Sequence, residues 1–152
     1  PVPTGSFDAT AQIGPGWAML TGEAQIRVRY AETDRMGLLH HANYLVYFEQ
    51  ARTELLRDQG KTYKDLEDAG FFLVVSKLEV KYRAPAHYDD VLTIRTTVTK
   101  SSPVRLEHKY EVFRAGAVIC EGHSTLACVG RDGKLQAMPA WLSGEAEAAG
   151  SA

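Results

Sequence analysis

Sulfur is scarce in this sequence. Only two of its 152 residues are cysteines, Cys120 and Cys128. Both fall in one strand-like stretch, where eight residues of straight strand separate them by about 26 Å at roughly 3.3 Å per residue. That spacing offers neither a disulfide framework nor a cysteine metal knuckle. Two free thiols predict a reducing, cytoplasmic setting. Long apolar runs are also missing, so no segment is expected to span a bilayer. Charge of one sign is not in excess. The 17 Lys and Arg stand against 19 Asp and Glu, for a net charge of −2. Such a balance gives no electrostatic footprint for nucleic acid or an anionic membrane surface. No Gly-x-Ser-x-Gly elbow occurs, which removes the strained turn on which a serine hydrolase presents its nucleophile.

What remains is the composition of a globular protein, 45% apolar and 24% charged. The length fits one domain with a substantial core. Residues 1–20 are rich in Gly, Pro and small residues and lack the basic start and apolar core of a signal peptide. They read as a flexible extension. Residues 143–152 read as a flexible tail, leaving 21–142 as the folded domain.

Residues 24–30 alternate apolar and polar, as a strand does. From Ala42 to Gln59 the period changes. Tyr44, Tyr47, Phe48, Ala51 and Leu55 fall on one face of a helix about 27 Å long, at 1.5 Å per residue. Asn43 is placed to cap its start and Gly60 to end it. A short second helix is expected before Gly70. Four strands follow, over 71–85, 90–101, 105–115 and 117–131, with a short last strand at 135–139. The gaps 114–117 and 131–134 are expected hairpin turns. Short connections require antiparallel pairing. The expectation is therefore an α+β fold: an antiparallel sheet of five or six strands wrapped around one long helix.

The stretch "YAETDRMGLLHHANYLVYFE", Tyr30–Glu49, carries the chemistry. A loop of carboxylates and two adjacent histidines runs straight into the long helix. The first N–H groups of a helix have no intrahelical partner and carry partial positive charge. Near His41 and Ala42 they are suited to polarise a thioester or ester carbonyl. Asp34, seven residues before His41, is suited to attack that carbonyl or to activate a water. The plainer reading of Asp34 is a turn or capping residue. Glu32 reads as a solvated loop charge, His40 and His41 as polar loop residues, and Tyr44, Tyr47 and Phe48 as core. Adjacent loop histidines are expected to point apart and no further ligand stands at metal spacing, so no metal site is expected. Glu49 reads as a charge on the helix's solvated edge. His123 falls on the opposite strand face from both cysteines, so neither is an expected nucleophile.

The same stretch resembles the opening of the 4-hydroxybenzoyl-CoA thioesterase family, and most closely its Tol–Pal-associated bacterial branch. The shared pattern is a Tyr or Phe, three residues, an Asp, a Gly three further on, then Asn or Ser before a Tyr at the helix start. Here these are Tyr30, Asp34, Gly37, Asn43 and Tyr44. "YDDVLTI" from Tyr88 and "VVSKLEVKYRAP" from Val74 resemble further strands of the family. The resemblance implies a hotdog fold, a homodimer assembling to a homotetramer, and active sites at the subunit interface. It implies hydrolysis of a short-chain or aromatic acyl-CoA without a metal or redox cofactor, coenzyme A being part of the substrate. Asp34 takes the place of the catalytic carboxylate. His41 takes that of the carbonyl-polarising N–H, with a side chain that takes part in this branch. Tyr30 lines or orients the site, and Asn43 and Ser76 join it as substrate-binding candidates. The basic cluster that holds CoA phosphates in the hydroxybenzoyl enzyme is dispersed here, so Lys81, Arg83 and Arg105 are the candidate phosphate contacts. Two other readings remain open at this point: a hotdog hydratase, for which the His-Phe-Pro pattern is missing, and a non-catalytic acyl-CoA-binding or oligomerisation module.

Overall fold

Alternating apolar and polar side chains produce five strands in a computed structural model, which describes residues 19–143. They are β1 (Thr21–Arg27), β2 (Phe72–Tyr82), β3 (Val91–Ser101), β4 (Arg105–Arg114) and β5 (Ala117–Val129). They form one antiparallel sheet in the order β1-β3-β4-β5-β2. The β4–β5 turn places Ala115 and Gly116 at φ 50° and 83°, the two successive positive values that suit a tight hairpin to strand twist. The "LQAMP" stretch adds no strand. Only Leu135 makes a single bridge, to Val129.

The long helix is α1 (Asn43–Asp58), 16 residues rather than the expected 18. It starts one residue late because Ala42 occupies the N-cap without a side-chain cap. Asn43 does not cap. Its amide turns back to donate to the Glu32 carbonyl. A short α2 (Tyr63–Asp68) is capped by the Thr62 hydroxyl, which accepts the Asp65 N–H. A single turn, α3 (Ala140–Ser143), ends the described chain. Of the extension expected at residues 1–20 and the tail expected at 143–152, residues 1–18 and 144–152 lie outside the described residues. Leu20 is part of the core, and its carbonyl accepts the Val98 N–H.

The apolar stripe of α1 lies on one face of the sheet. Tyr44, Tyr47, Phe48 and Ala51 join Ala24, Ile26, Ile94, Val112 and Ile119 in one cluster. Leu55 and Leu56 join Val98, Leu106, Leu126 and Leu142 in another. Each fully buried side chain of this size contributes about 1.5–3 kcal/mol. The β4–β5 register puts the pair His108–Ser124 between the pairs Tyr110–Gly122 and Leu106–Leu126, so a polar layer separates the clusters. There Tyr110 and Ser124 hydroxyls are 2.6 Å apart. Arg52 of α1 reaches the Tyr110 oxygen at 3.4 Å. His108 Nδ1 has no partner among the described residues.

Two outcomes follow from this packing. A Cβ on Gly122 would stand 2.4 Å from Phe48 Cε2, and the Phe48 ring is already stacked on Tyr110 at 4.4 Å. Gly122→Ala is expected to destabilise the fold by about 1–3 kcal/mol in chemical denaturation. For His108, burial first and the Arg52 charge second push the pKa down to about 3. The unfolded chain therefore binds a proton between about pH 6.5 and 3 that the folded chain refuses. Stability is expected to fall as pH drops through that window. His108→Leu, measured by denaturation at several pH values, is expected to flatten the slope.

Candidate active site

Between β1 and α1 the chain makes a 3-10 turn, Tyr30–Glu32, and then a narrow loop. Thr33 bridges Leu39, the Asp34 N–H donates to the Leu38 carbonyl at 2.7 Å, and the Gly37 N–H donates to the Asp34 carbonyl at 2.9 Å. Gly37 sits at φ 82°, which closes the turn without Cβ strain. Asp34 has the turn role its residue type suggests. Its Oδ1 accepts the N–H groups of Met36 at 2.8 Å and Leu38 at 3.1 Å. That leaves Oδ2 with no hydrogen bond among the described residues, so one carboxylate oxygen orients the group and the other is available.

The loop returns along Glu32. The His40 N–H donates to the Glu32 carbonyl at 2.9 Å, and His40 Nδ1 accepts the Ala42 N–H at 3.1 Å. His40 thus folds its ring back onto the backbone just before α1, and its ring proton must lie on Nε2. The two histidine rings do not point apart. They stack with centroids 4.3 Å apart. Asn43 donates its N–H to the His40 carbonyl. Between these bonded neighbours, the His41 N–H meets no acceptor among the described residues. The His41 carbonyl accepts the Tyr82 hydroxyl at 2.8 Å, which ties the helix mouth to the end of β2.

Asp34 and His41 open on one pocket of 310 Å³, shared with Tyr44, Tyr82, Arg83 and Pro85. The rings of Tyr44 and Tyr82 meet edge to face at 5.2 Å. Burial first, then the neighbouring Cys120 and Tyr82, pushes the Tyr44 phenol up to about 12. Burial thus favours its neutral phenol form. Burial likewise pushes the Cys120 thiol up to about 12, so it is no nucleophile. Among the described residues no cluster of His, Cys, Asp and Glu is placed to hold a metal. A wider cleft of 560 Å³ lies between β1 and α1, lined by Arg27, Arg29, Glu32 and Gln50, and neither Asp34 nor His41 lines it.

The other expected site residues scatter. Arg83 lines the pocket, paired to Glu121 at 3.1 Å. Tyr30 is 77% exposed and packs edge-on against Tyr88 rather than in the pocket. Ser76 is the extra residue of a bulge in β2, its hydroxyl donating to the Thr125 carbonyl at 3.1 Å. Lys81 is exposed on β2. Arg105 pairs in register with Ala127 and Tyr82 with Cys120, so Arg105 stands about 23 Å along the sheet from the pocket end. Glu32 contradicts its reading as a solvated charge. It is 7% exposed. Its Oε1 accepts the Tyr47 hydroxyl at 2.7 Å and the Arg29 N–H at 2.8 Å, and its Oε2 accepts Arg29 Nη2 at 3.2 Å. Burial opposes the charge, but these donors together hold the carboxyl below the usual range. The signal for Glu32 was Tyr47, whose hydroxyl on an apolar helix face needs a buried partner. Tyr82 had none beyond strand alternation.

No helix among the described residues is long and apolar enough to cross a membrane. Residues 28–145 match the family model described as the thioesterase-like superfamily. The acyl-CoA thioester hydrolase YbgC of Escherichia coli O6:H1 is 34% identical over 105 residues, 68% of this chain and 78% of that protein. Among solved structures, a hypothetical protein of Thermus thermophilus aligns with TM-score 0.74 and 37% identity, over 77% of this chain and 90% of that one. The DHNA-CoA thioesterase of Staphylococcus aureus aligns with TM-score 0.74 and 34% identity, over 78% and 80%. The family match over most of the chain, the 34% identity to YbgC and the shared fold agree: the chain belongs to the thioesterase-like superfamily.

Proposed function

We propose that the protein is an acyl-CoA thioesterase, hydrolysing a short-chain or aromatic acyl-CoA to the free acid and coenzyme A. One observation carries this reading: Asp34 and His41 share a pocket, and the Asp34 Oδ2 and the His41 N–H are both free of partners among the described residues. The thioester oxygen accepts the His41 N–H, which stabilises the oxyanion as it forms. Asp34 either attacks the carbonyl carbon or takes a proton from an attacking water. On the first route the thiolate of coenzyme A leaves and water then splits the mixed anhydride. On the second the tetrahedral intermediate expels the thiolate directly. Both routes consume one water and deliver one acid and one thiol, with no metal or redox cofactor.

The ring walls of Tyr44 and Tyr82 favour a flat acyl group, and a relative named for DHNA-CoA is consistent with it. His41 and the likeness to YbgC favour the Tol–Pal-associated branch of the 4-hydroxybenzoyl-CoA thioesterase family. Arg83, on the pocket wall, is the best placed of the candidate phosphate contacts. The pocket is shallow for a whole acyl-CoA, and β2 is an edge strand with Val74, Val75 and Leu78 exposed at 45%, 49% and 39%. A second copy pairing along β2 covers that edge and closes the groove around α1. On this reading the protein is a homodimer that assembles into a homotetramer in the cytoplasm, with 21–142 as its hotdog domain.

Thiol release from acetyl-, butyryl-, hexanoyl-, palmitoyl-, benzoyl- and hydroxybenzoyl-CoA tests the chemistry. Turnover is expected on short or aromatic substrates, and Asp34→Asn is expected to lower kcat by about 10²–10⁴-fold with the fold intact. Equal rates in both proteins would remove Asp34 from catalysis. Coenzyme A binding without turnover would instead favour a binding module. For the assembly, Leu78→Lys is expected to shift the protein toward monomer in sedimentation velocity. A sedimentation profile identical to the wild type's, or a monomeric wild type, would count against the β2 interface.

A further inference from the structure

We propose that Glu32 is the positioning residue of this site: its buried carboxylate fixes where Asp34 and the His41 N–H stand relative to one another. The proposal rests on the acyl-transfer reading for its catalytic consequence, but its structural part stands alone. Glu32 is bonded to the chain after β1, to α1 and to the loop that leads into α1. Its carboxylate is tied to the end of β1 through the Arg29 N–H at 2.8 Å and the Arg29 guanidinium at 3.2 Å, and to α1 through the Tyr47 hydroxyl at 2.7 Å. Its carbonyl accepts both the His40 N–H and the Asn43 side-chain amide, each at 2.9 Å. Asp34 follows two residues later, and the His41 N–H lies between the two donors to that carbonyl. A change in the placement of Glu32 is therefore passed to the Asp34 turn by the chain and to the helix mouth by its hydrogen bonds.

The chemistry of the anchor argues for a positional role. A buried carboxylate is costly to hold, and a well-packed apolar residue of similar volume serves stability as well or better. Three donors converging on a residue that is 7% exposed make the charge useful for direction, not for net stability. Glu32 itself does not line the pocket that holds Asp34 and His41, so it touches no reacting atom and acts through its neighbours. Misplacement of reacting groups by about 1 Å costs on the order of 100-fold in rate.

The test uses Glu32→Gln and Tyr47→Phe in the full chain. Tyr47→Phe keeps the ring and removes only the hydroxyl, so it remains informative where Glu32→Gln fails to fold. Kinetics on whichever acyl-CoA the wild type turns over are expected to show kcat lower by about 10- to 100-fold with KM within about threefold. The double variant is expected to lose less than the product of the two single losses, because both act through one contact. Without substrate, amide hydrogen exchange at Asp34, Leu39 and His40 is expected to be at least about tenfold faster in both variants. Folded variants with wild-type kcat would overturn the proposal, as would a loss carried by KM alone. Unchanged exchange would overturn it whether or not the wild type hydrolyses thioesters. A wild type inactive on every acyl-CoA would sink the functional reading, while exchange would still decide the anchor.

Discussion

How closely α1 approaches the sheet governs everything built around it. The distance is set where Phe48 lies flat on Tyr110 and over the bare backbone of Gly122. Glycine at that point on β5 lets an aromatic ring touch the sheet where any side chain would hold it off. With the helix seated, Tyr44 and Tyr47, four residues and one residue before Phe48, are carried to fixed places. One reaches the wall of the pocket, and the other reaches a buried carboxylate at the loop. The mouth of the helix is thus placed by packing in its middle.

The candidate site is a loop in which many polar groups are paired locally and a few are left unpaired. Most polar groups between Tyr30 and Asn43 are occupied within a few residues of themselves. The Asp34 turn uses one carboxylate oxygen, and the His40 ring takes the Ala42 N–H. On the proposed reading, the Asp34 Oδ2 and the His41 N–H, both without a partner among the described residues, serve as a preorganised acceptor and donor that need little reorganisation when charge develops between them. Burial raises the pKa of the neighbouring Tyr44 and Tyr82 phenols, and Tyr82 donates to the His41 carbonyl.

Much of this was legible in the sequence, for identifiable reasons. Strand alternation and the stripe from Tyr44 to Leu55 gave the sheet and helix because burial on one face imposes the period. Asp34 and Gly37 marked the loop as turn residues, while the spacing of Tyr30, Asp34, Gly37, Asn43 and Tyr44 pointed to a site only through its resemblance to the family. What escaped is what depends on long-range geometry. Glu32 looks solvated until the Tyr47 hydroxyl is seen above it. Asn43 has the composition of a cap, yet its amide is better used on the Glu32 carbonyl across the loop. Tyr82 enters the site only because β2 ends beside His41. Arg105 was marked by charge alone, and the strand register sets it at the far end of the sheet.

The strand order has a consequence for the route by which the chain reaches this shape. Strands β3, β4 and β5 form a meander joined by short turns, so their pairings close small loops. The edges are different. Pairing β1 with β3 joins Ala24 to Ile94, and pairing β2 with β5 joins Leu73 to Cys128. Closure entropy rises with loop length, and non-local pairings are the slow ones. The segment bearing Asp34 and His41 lies inside the longer of these two loops and is pinned from both edges, through Arg29 at the end of β1 and Tyr82 at the end of β2. A meander that has formed without its edges and helix holds less than half of the buried apolar side chains among the described residues and none of the pocket. Competence at this site therefore reports that the least local contacts of the fold have closed.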